Sequence, residues 1–393
     1  MSANDTSTIF VHDLTAAHPS KTIGVTILED LFQNDEMDKE TVKIQTGSGV
    51  STIALGEAQL RKMHDATERF SYENPLGEGA YGKVWKAQDI DIGRSVAIKS
   101  YKYGGEVGHR LLSMETNIAG KIDHPNVPVL YDIKKTEDEQ YHYIMKFIEG
   151  ESLEAIIERL RAGDKETLAK YSFEKRASII TQILRVLAAS HKKNILHRDI
   201  KAENIMVGPA GEAYLMDWGV ALDLNQFNGK GQLAGSPRYM SPEQAAQKAL
   251  DQRSDLYSII AVFFELMSLK QHGPDVKTAD EVLKAIPEFE PSFKLIAMPH
   301  SQYGTYPMQY QSIFFKGLKN NPDERYQSAE EILEQLDASM SGDIEVGCHV
   351  SLMFKSFYLI RQGMTQHPIL SNLALLFVPL AFMGLLVYIG TLL

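Results

Sequence analysis

An α+β chain with two unequal lobes is predicted, a small strand-rich lobe followed by a larger helical one. Three observations predict it. Between Phe70 and Ile148, short runs rich in Val, Ile and Tyr alternate with turn residues, the texture of an antiparallel sheet, interrupted by one helix near Glu115. From Ser152 to Ala338, apolar residues recur at three-four spacing, as in Ala177 to Lys192 and Ser254 to Met267, which is the signature of packed helices. The chain has 393 residues, 44% of them hydrophobic, enough apolar surface for a sizeable core.

The two ends differ from this middle. Residues 1–68 are polar and mixed, and read as a largely flexible extension; the short apolar patches Thr22 to Leu28 and Val50 to Leu55 have no obvious strand partners. A short helix from Gly56 to Glu68 would lead into the domain. The predicted domain spans residues 69–338, with its first lobe at about 69–147 and its second at about 148–338, followed by a juxtamembrane linker at 339–368. After Arg361 no Asp, Glu, Lys or Arg occurs, and Ile369 to Leu393 is long enough to cross a bilayer core as one transmembrane helix. Pro379 lies inside it, which membrane helices tolerate better than soluble ones. The expectation is a single-pass, tail-anchored protein whose domain faces the cytoplasm.

Composition narrows the function. The net charge of −11 and the lack of a dense Lys/Arg stripe argue against a nucleic-acid partner. The single cysteine, Cys348, excludes an intramolecular disulfide. No His/Cys cluster has zinc-ligand spacing.

The chemistry-bearing stretch is His197-Arg198-Asp199-Ile200-Lys201-Ala202-Glu203-Asn204, followed by Asp217-Trp218-Gly219. Phosphoryl transfer from ATP to a hydroxyl needs a positioned acceptor, metal ions on the phosphates and cations where charge develops. Asp199 can orient an acceptor hydroxyl and take its proton, and Lys201 can reach the transferring phosphate. Asn204 and Asp217 offer hard oxygen ligands that suit Mg²⁺. Together these segments resemble the eukaryotic-type (Hanks-type) serine/threonine protein kinases over roughly Phe70 to Ala338.

The resemblance implies a nucleotide site. Gly77-Glu78-Gly79-Ala80-Tyr81-Gly82 is a glycine-rich turn after Leu76, and Val84 continues as a strand, not a helix, which disfavours a dinucleotide fold. In the family such a turn covers the ATP phosphates and Val84 covers the adenine. Lys99, in Val96-Ala97-Ile98-Lys99, would bind the phosphates and an ion-pair glutamate. Glu106 and Glu115 compete for that role; Glu115 keeps the family's offset to Ile122 and His124-Pro125-Asn126. Met145 would stand beside the adenine, the backbone of Lys146 and Ile148 would bond its edge, and Ala97 and Met206 would sandwich it.

On the substrate side, Lys201 two residues after Asp199 is the serine/threonine form of the loop. Gly235 to Glu243 resembles the loop that receives the peptide, with Ser236 contacting the catalytic aspartate and lysine. The resemblance also pairs Glu243 with Arg325, and makes Asp255 the brace of the catalytic-loop backbone. Three departures stand out. Trp218 replaces the usual phenylalanine, and Ser241 replaces the usual alanine. No Ser, Thr or Tyr occurs between Trp218 and Gly235, and the usual phosphosite falls on Gln232. Activation by phosphate there is therefore not expected, and Arg198 would meet Asp223 or the Gln232 amide instead.

The leading expectation is an ATP- and Mg²⁺-dependent serine/threonine protein kinase, similar to bacterial members, with Ser/Thr-bearing protein substrates and the lipid bilayer as partners. The alternative is a membrane-tethered pseudokinase scaffold. A small-molecule phosphotransferase is disfavoured by the peptide loop and the Glu243–Arg325 pairing.

Overall fold

The computed structural model describes residues 41–46, 49–54, 69–78, 82–136, 140–226, 233–276, 278–289 and 307–341. The expectations for Thr22 to Leu28, for a helix at Gly56 to Glu68 and for a span at Ile369 to Leu393 lie outside them. Among the described residues, no helix is long and apolar enough to cross a membrane.

Two compact units divide the chain, with Met1–Glu78 and Val84–Ile98 in the first and Gly79–Lys83 and Lys99–Leu393 in the second. In the first, the apolar patch near Val50 does find a partner: β1 (Thr41–Thr46) and β2 (Gly49–Ala54) form an antiparallel hairpin, Thr46 opposite Gly49 and Thr41 opposite Ala54. Next come β3 (Phe70–Glu78) and β4 (Gly82–Asp89), and β5 (Arg94–Tyr101), which runs on into the second unit. The β4–β5 turn places Gly93 at φ +71°, where a side chain would be strained. Asp89, fully buried at its start, accepts two 2.9 Å bonds from the Arg69 guanidinium. Burial disfavours the Asp89 carboxylate, but Arg69 outweighs it and keeps its pKa below the usual range.

The second unit opens with α1 (Gly105–Ala119), whose buried residues Leu112, Glu115 and Ile118 recur every third position and so share one face. The hairpin of β6 (Leu130–Lys135) and β7 (Tyr141–Lys146) follows, with a bulge between Leu130 and Asp132. Within the first unit the strand order is β3-β4-β5, and within the second β7 neighbours β6.

Helices dominate from there, as the three-four spacing predicts. The core is built on α4 (Phe173–His191), preceded by α2 (Leu153–Arg161) and the short α3 (Lys165–Lys170). A later helix, Gln252–Ser268, is buried on every side from Ser254 to Ser268, so it lacks the polar face of a surface helix. Side-chain oxygens close the helix starts: Ser152, Asp164 and Ser172 accept from the backbone N–H three residues on. Short strands between the helices carry the site. β8 (Glu151–Ser152), β10 (Ile205–Val207) and β11 (Ala213–Leu215) form one small sheet, and β9 (Ile195–Leu196) pairs with β12 (Leu222–Asp223) in another.

Candidate active site

Lys99 is the centre of a buried charge cluster. Its ammonium donates to Glu115 Oε1 at 2.9 Å, Glu115 Oε2 at 2.7 Å and Asp217 Oδ1 at 2.9 Å. Each of its three protons thus faces a carboxylate oxygen. Glu115 is the partner of the two candidates; Glu106 has an 89% exposed side chain and lies 3.5 Å from Arg110. Burial disfavours the Lys99 ammonium, but Glu115 and Asp217 outweigh it and hold its pKa above the usual lysine range. The same balance runs the other way at Asp217: burial favours the neutral acid, Lys99 prevails, and the carboxyl stays below its usual range.

Strand pairing brings Asp217 beside Asn204. Ile205 lies opposite Leu215 across β10 and β11, and the Met216 N–H donates to the Asn204 carbonyl at 2.8 Å. The two oxygen-bearing side chains therefore leave the same end of one hairpin. Asp217 then turns away at φ +56°, and its side chain is 44% exposed. A side chain at Gly219 would come within 3.2 Å of Asp217 Oδ1 and 3.3 Å of Glu115 Oε2, so this position keeps the cluster uncrowded.

The loop between β9 and β10 is clamped from below. The Asp255 carboxylate accepts the His197 N–H at 2.8 Å, the Arg198 N–H at 2.9 Å and His191 Nε2–H at 2.9 Å. Burial works against this carboxylate, and its donors keep it ionised. The bonds fix Arg198 in the left-handed region, φ +65°. His197 adds a second brace: Nε2 donates to the Met216 carbonyl at 2.9 Å, while Nδ1 accepts the Asp199 N–H at 3.3 Å. The ring meets Trp218 edge-on at 4.6 Å.

At the top of this loop, Asn204 Nδ2 donates to the Asp199 carbonyl at 2.8 Å and to Asp199 Oδ2 at 3.1 Å. Lys201 Nζ lies 3.4 Å from Asp199 Oδ2 and donates to Ser236 Oγ at 3.0 Å. Asp199 Oδ1 is buried and has no hydrogen-bond partner among the described residues.

The other expected nucleotide contacts divide between the units. Leu76, Gly77, Glu78, Val84 and Ala97 belong to the first, with Leu76 49% exposed and Ala97 buried. Gly79, Ala80 and Tyr81 lie outside the described residues. A Cβ at Gly82 would stand 2.3 Å from the Ser100 carbonyl, so backbone approach requires glycine there. In the second unit, Met145 packs against Tyr101, Leu112, Tyr141 and Tyr143. The Lys146 N–H, one of the backbone groups expected at an adenine edge, is bonded to the Val129 carbonyl at 2.9 Å. Ile148 is buried, and Met206, on β10, is half-buried.

A family model described as protein kinase domain matches residues 70–336. The chain belongs to the protein kinase family. It is 29% identical over 308 residues to the serine/threonine-protein kinase PknD of Protochlamydia amoebophila, covering 71% of this chain and 31% of that protein. It is 28% identical over 281 residues to the serine/threonine-protein kinase PrkC of Bacillus subtilis, covering 70% and 41%. With the PknD of Chlamydia trachomatis the identity is 27% over 325 residues, covering 73% and 33%. The aligned region spans 31–41% of the length of these relatives.

Further from the charge cluster, the kinase domain holds a second buried pair. Arg325 grips Glu243 with two 2.8 Å bonds, and Ser254 Oγ donates to the same carboxylate at 2.7 Å. The remaining Arg325 donors go to the carbonyls of Lys319, Asn320 and Arg253. Glu243 opens a short helix, Pro242–Ala245, which anchors the loop from Gly235.

Three side chains were not foreseen. Gln244 Nε2 donates to the carbonyls of Arg198 and Ala234, each at 2.7 Å, stitching the loop to the catalytic segment. Lys121 takes Asp223 at 2.6 Å, the carboxylate expected for Arg198, whose Nε instead donates to the Val220 carbonyl at 2.7 Å. Gln232, the other expected partner, lies outside the described residues. Tyr101 donates to Glu115. Of these, only Tyr101 left a trace in the sequence, since it is two residues from Lys99 on a strand and so shares its face.

Proposed function

We propose that the protein transfers the γ-phosphoryl group of ATP to serine or threonine hydroxyls of protein substrates. One observation carries the reading: Asp199 is tied to Asn204 and lies beside Lys201, which is bonded to Ser236, so an acceptor, a cation and the peptide loop meet at one point. In this account Asp199 orients the acceptor hydroxyl and takes its proton as the new P–O bond forms and the bond to the ADP oxygen breaks. Lys201 faces the charge that develops on the transferring group. Lys99, positioned by Glu115, holds the non-transferring phosphates.

Asn204 and Asp217 are the residues that would hold Mg²⁺. Among the described residues no group of three or more His, Cys, Asp or Glu side chains could hold a metal, but Mg²⁺ uses one or two protein oxygens and completes its shell from phosphates and water. The half-open Asp217 carboxylate fits that demand. When bound, the ion supplies neutralisation of phosphate charge.

The finer reading adds two features. The uncharged stretch Ile369 to Leu393 anchors the domain to a membrane, with the domain on the ATP-containing side, and so concentrates it near membrane substrates. Activity does not depend on phosphate between residues 218 and 235, which hold no hydroxyl. Sedimentation of the full chain with membranes, lost on truncation after Arg361, supports the anchor; equal sedimentation of both removes it.

The test of the activity is incubation of the full chain with labelled ATP, Mg²⁺ and a generic protein acceptor, beside Asp199→Asn. Label on serine or threonine that vanishes in the variant is expected. Equal label in both, or none with the wild type, contradicts the reading.

A further inference from the structure

Among the described residues, Tyr101 is the one buried hydroxyl with a hydrogen bond to the Lys99–Glu115 pair. Its phenol oxygen lies 2.5 Å from Glu115 Oε2, and the residue is 2% exposed. The Lys99 ammonium stands 5.5 Å from the centre of the same ring. Strand geometry explains the arrangement: Lys99 and Tyr101 are two apart on β5, so both side chains leave one face of the strand toward α1. Burial and the neighbouring Glu115 charge both favour the neutral phenol, so it donates and the carboxylate accepts.

Counting donors shows what this adds. Glu115 receives two bonds from Lys99 and one from Tyr101. Every Lys99 proton already faces a carboxylate, so the ammonium can turn toward a phosphate only by loosening its hold on Glu115 or Asp217. A glutamate held by Lys99 alone would be released by that turn. A glutamate also held by a rigid, packed phenol keeps its place, and α1 keeps its place with it.

We infer that Tyr101 is a positioning residue for phosphoryl transfer, a second donor that keeps Glu115 in place while Lys99 engages the nucleotide. The inference rests on the kinase reading above. It assigns a role to the hydroxyl itself, beyond the packing of the ring with Leu112, Tyr141 and Tyr143.

The experiment is steady-state phosphorylation of a generic protein acceptor by the full chain, with ATP varied, well below the melting temperature. Wild type, Tyr101→Phe, Glu115→Ala, the double variant and Tyr143→Phe are compared. Tyr143 is buried in the same cluster and has no hydrogen bond to Glu115, so it controls for loss of a hydroxyl from that packing. Because a bond to a charged group is lost, kcat/KM for ATP should fall about tenfold in Tyr101→Phe, with Tyr143→Phe close to wild type. In the Glu115→Ala background the Tyr101 substitution should change nothing further, since its acceptor is gone. Unchanged kinetics in Tyr101→Phe with only a lower melting temperature would reduce the hydroxyl to a structural role and overturn the inference. A Tyr101→Phe loss that persists undiminished without Glu115 would also overturn it. Inactive wild type would instead remove the kinase reading, which separates the two failures.

Discussion

Two buried ion pairs of the same chemical type sit in very different surroundings. Around Glu243 and Arg325 everything is closed: the side chains are 9% and 0% exposed, and the Arg325 donors not used on Glu243 go to backbone carbonyls. Around Lys99 and Glu115 the pair is equally buried, but the third partner, Asp217, is 44% exposed. A saturated pair can only hold the fold in one arrangement. A pair that shares its cation with a half-open carboxylate can exchange that partner for a ligand. The contrast separates a scaffold from a working site more clearly than charge or burial alone.

The sharpest break between the regions should come from Asp199, which contributes to neither pair. Asp199→Asn should lower kcat by about 10²–10⁴-fold, the range for losing a general base, with little change in melting temperature. A comparable loss of stability would mean that the carboxylate is structural.

Next in size is Arg325→Met. It strands the Glu243 carboxylate where water does not reach, and should destabilise by about 3–5 kcal/mol in thermal unfolding. The effect should depend on pH in a defined direction. Burial opposes ionisation of Glu243, but Arg325 and Ser254 keep its pKa below the usual range. Its contribution is therefore complete above the unfolded-state value of about 4.3, and is lost as pH falls through the lower folded-state value. In the variant the stranded carboxyl can be protonated more easily, so the gap to wild type should narrow as pH falls from 7 toward 4. A gap that widens would show that the pair is not the source of the loss.

A smaller effect tests the stitching between the regions. Gly235 sits at φ +108°, and a Cβ there would stand 2.4 Å from the Arg198 carbonyl. Gly235→Ala should cost about 1–3 kcal/mol in unfolding and slow phosphorylation of a protein acceptor. The smallest expected change is Gln244→Ala, which removes two bonds to backbone carbonyls and should cost about 0.5–1.5 kcal/mol in unfolding, with slower protein phosphorylation. An equal slowing of ATP hydrolysis without acceptor would argue that both residues serve the nucleotide side.

Much of this contrast was legible in the sequence, for identifiable reasons. Lys99, Asp199, Asn204 and Asp217 sit at fixed spacings on short rigid elements, so their placement near one another could be expected from order alone. Glu115 required a choice against Glu106, made on its offset to His124, and burial on α1 is the physical basis of that choice. Gln244 and Lys121 were not legible, because each acts on a partner distant in sequence, Arg198 and Asp223, that a turn or a strand pairing brings near. The strand Thr41–Thr46 does alternate, Val42 and Ile44 between Thr41, Lys43 and Gln45, but the run is short and set in a polar stretch, so composition outweighed this local signal of a partner for Gly49–Ala54.

The central claim is that the Lys99 region works while the Arg325 region holds. It is tested most directly by measuring phosphoryl transfer and thermal unfolding on Lys99→Met and Arg325→Met side by side in the full chain. The account predicts that Lys99→Met loses transfer but costs less stability than Arg325→Met, because water reaches Asp217 and Lys99, unlike Arg325, does not also hold three backbone carbonyls. It predicts that Arg325→Met melts far earlier and, while still folded, transfers phosphate. A Lys99 variant that melts as early as the Arg325 variant, or that transfers phosphate normally, would contradict it.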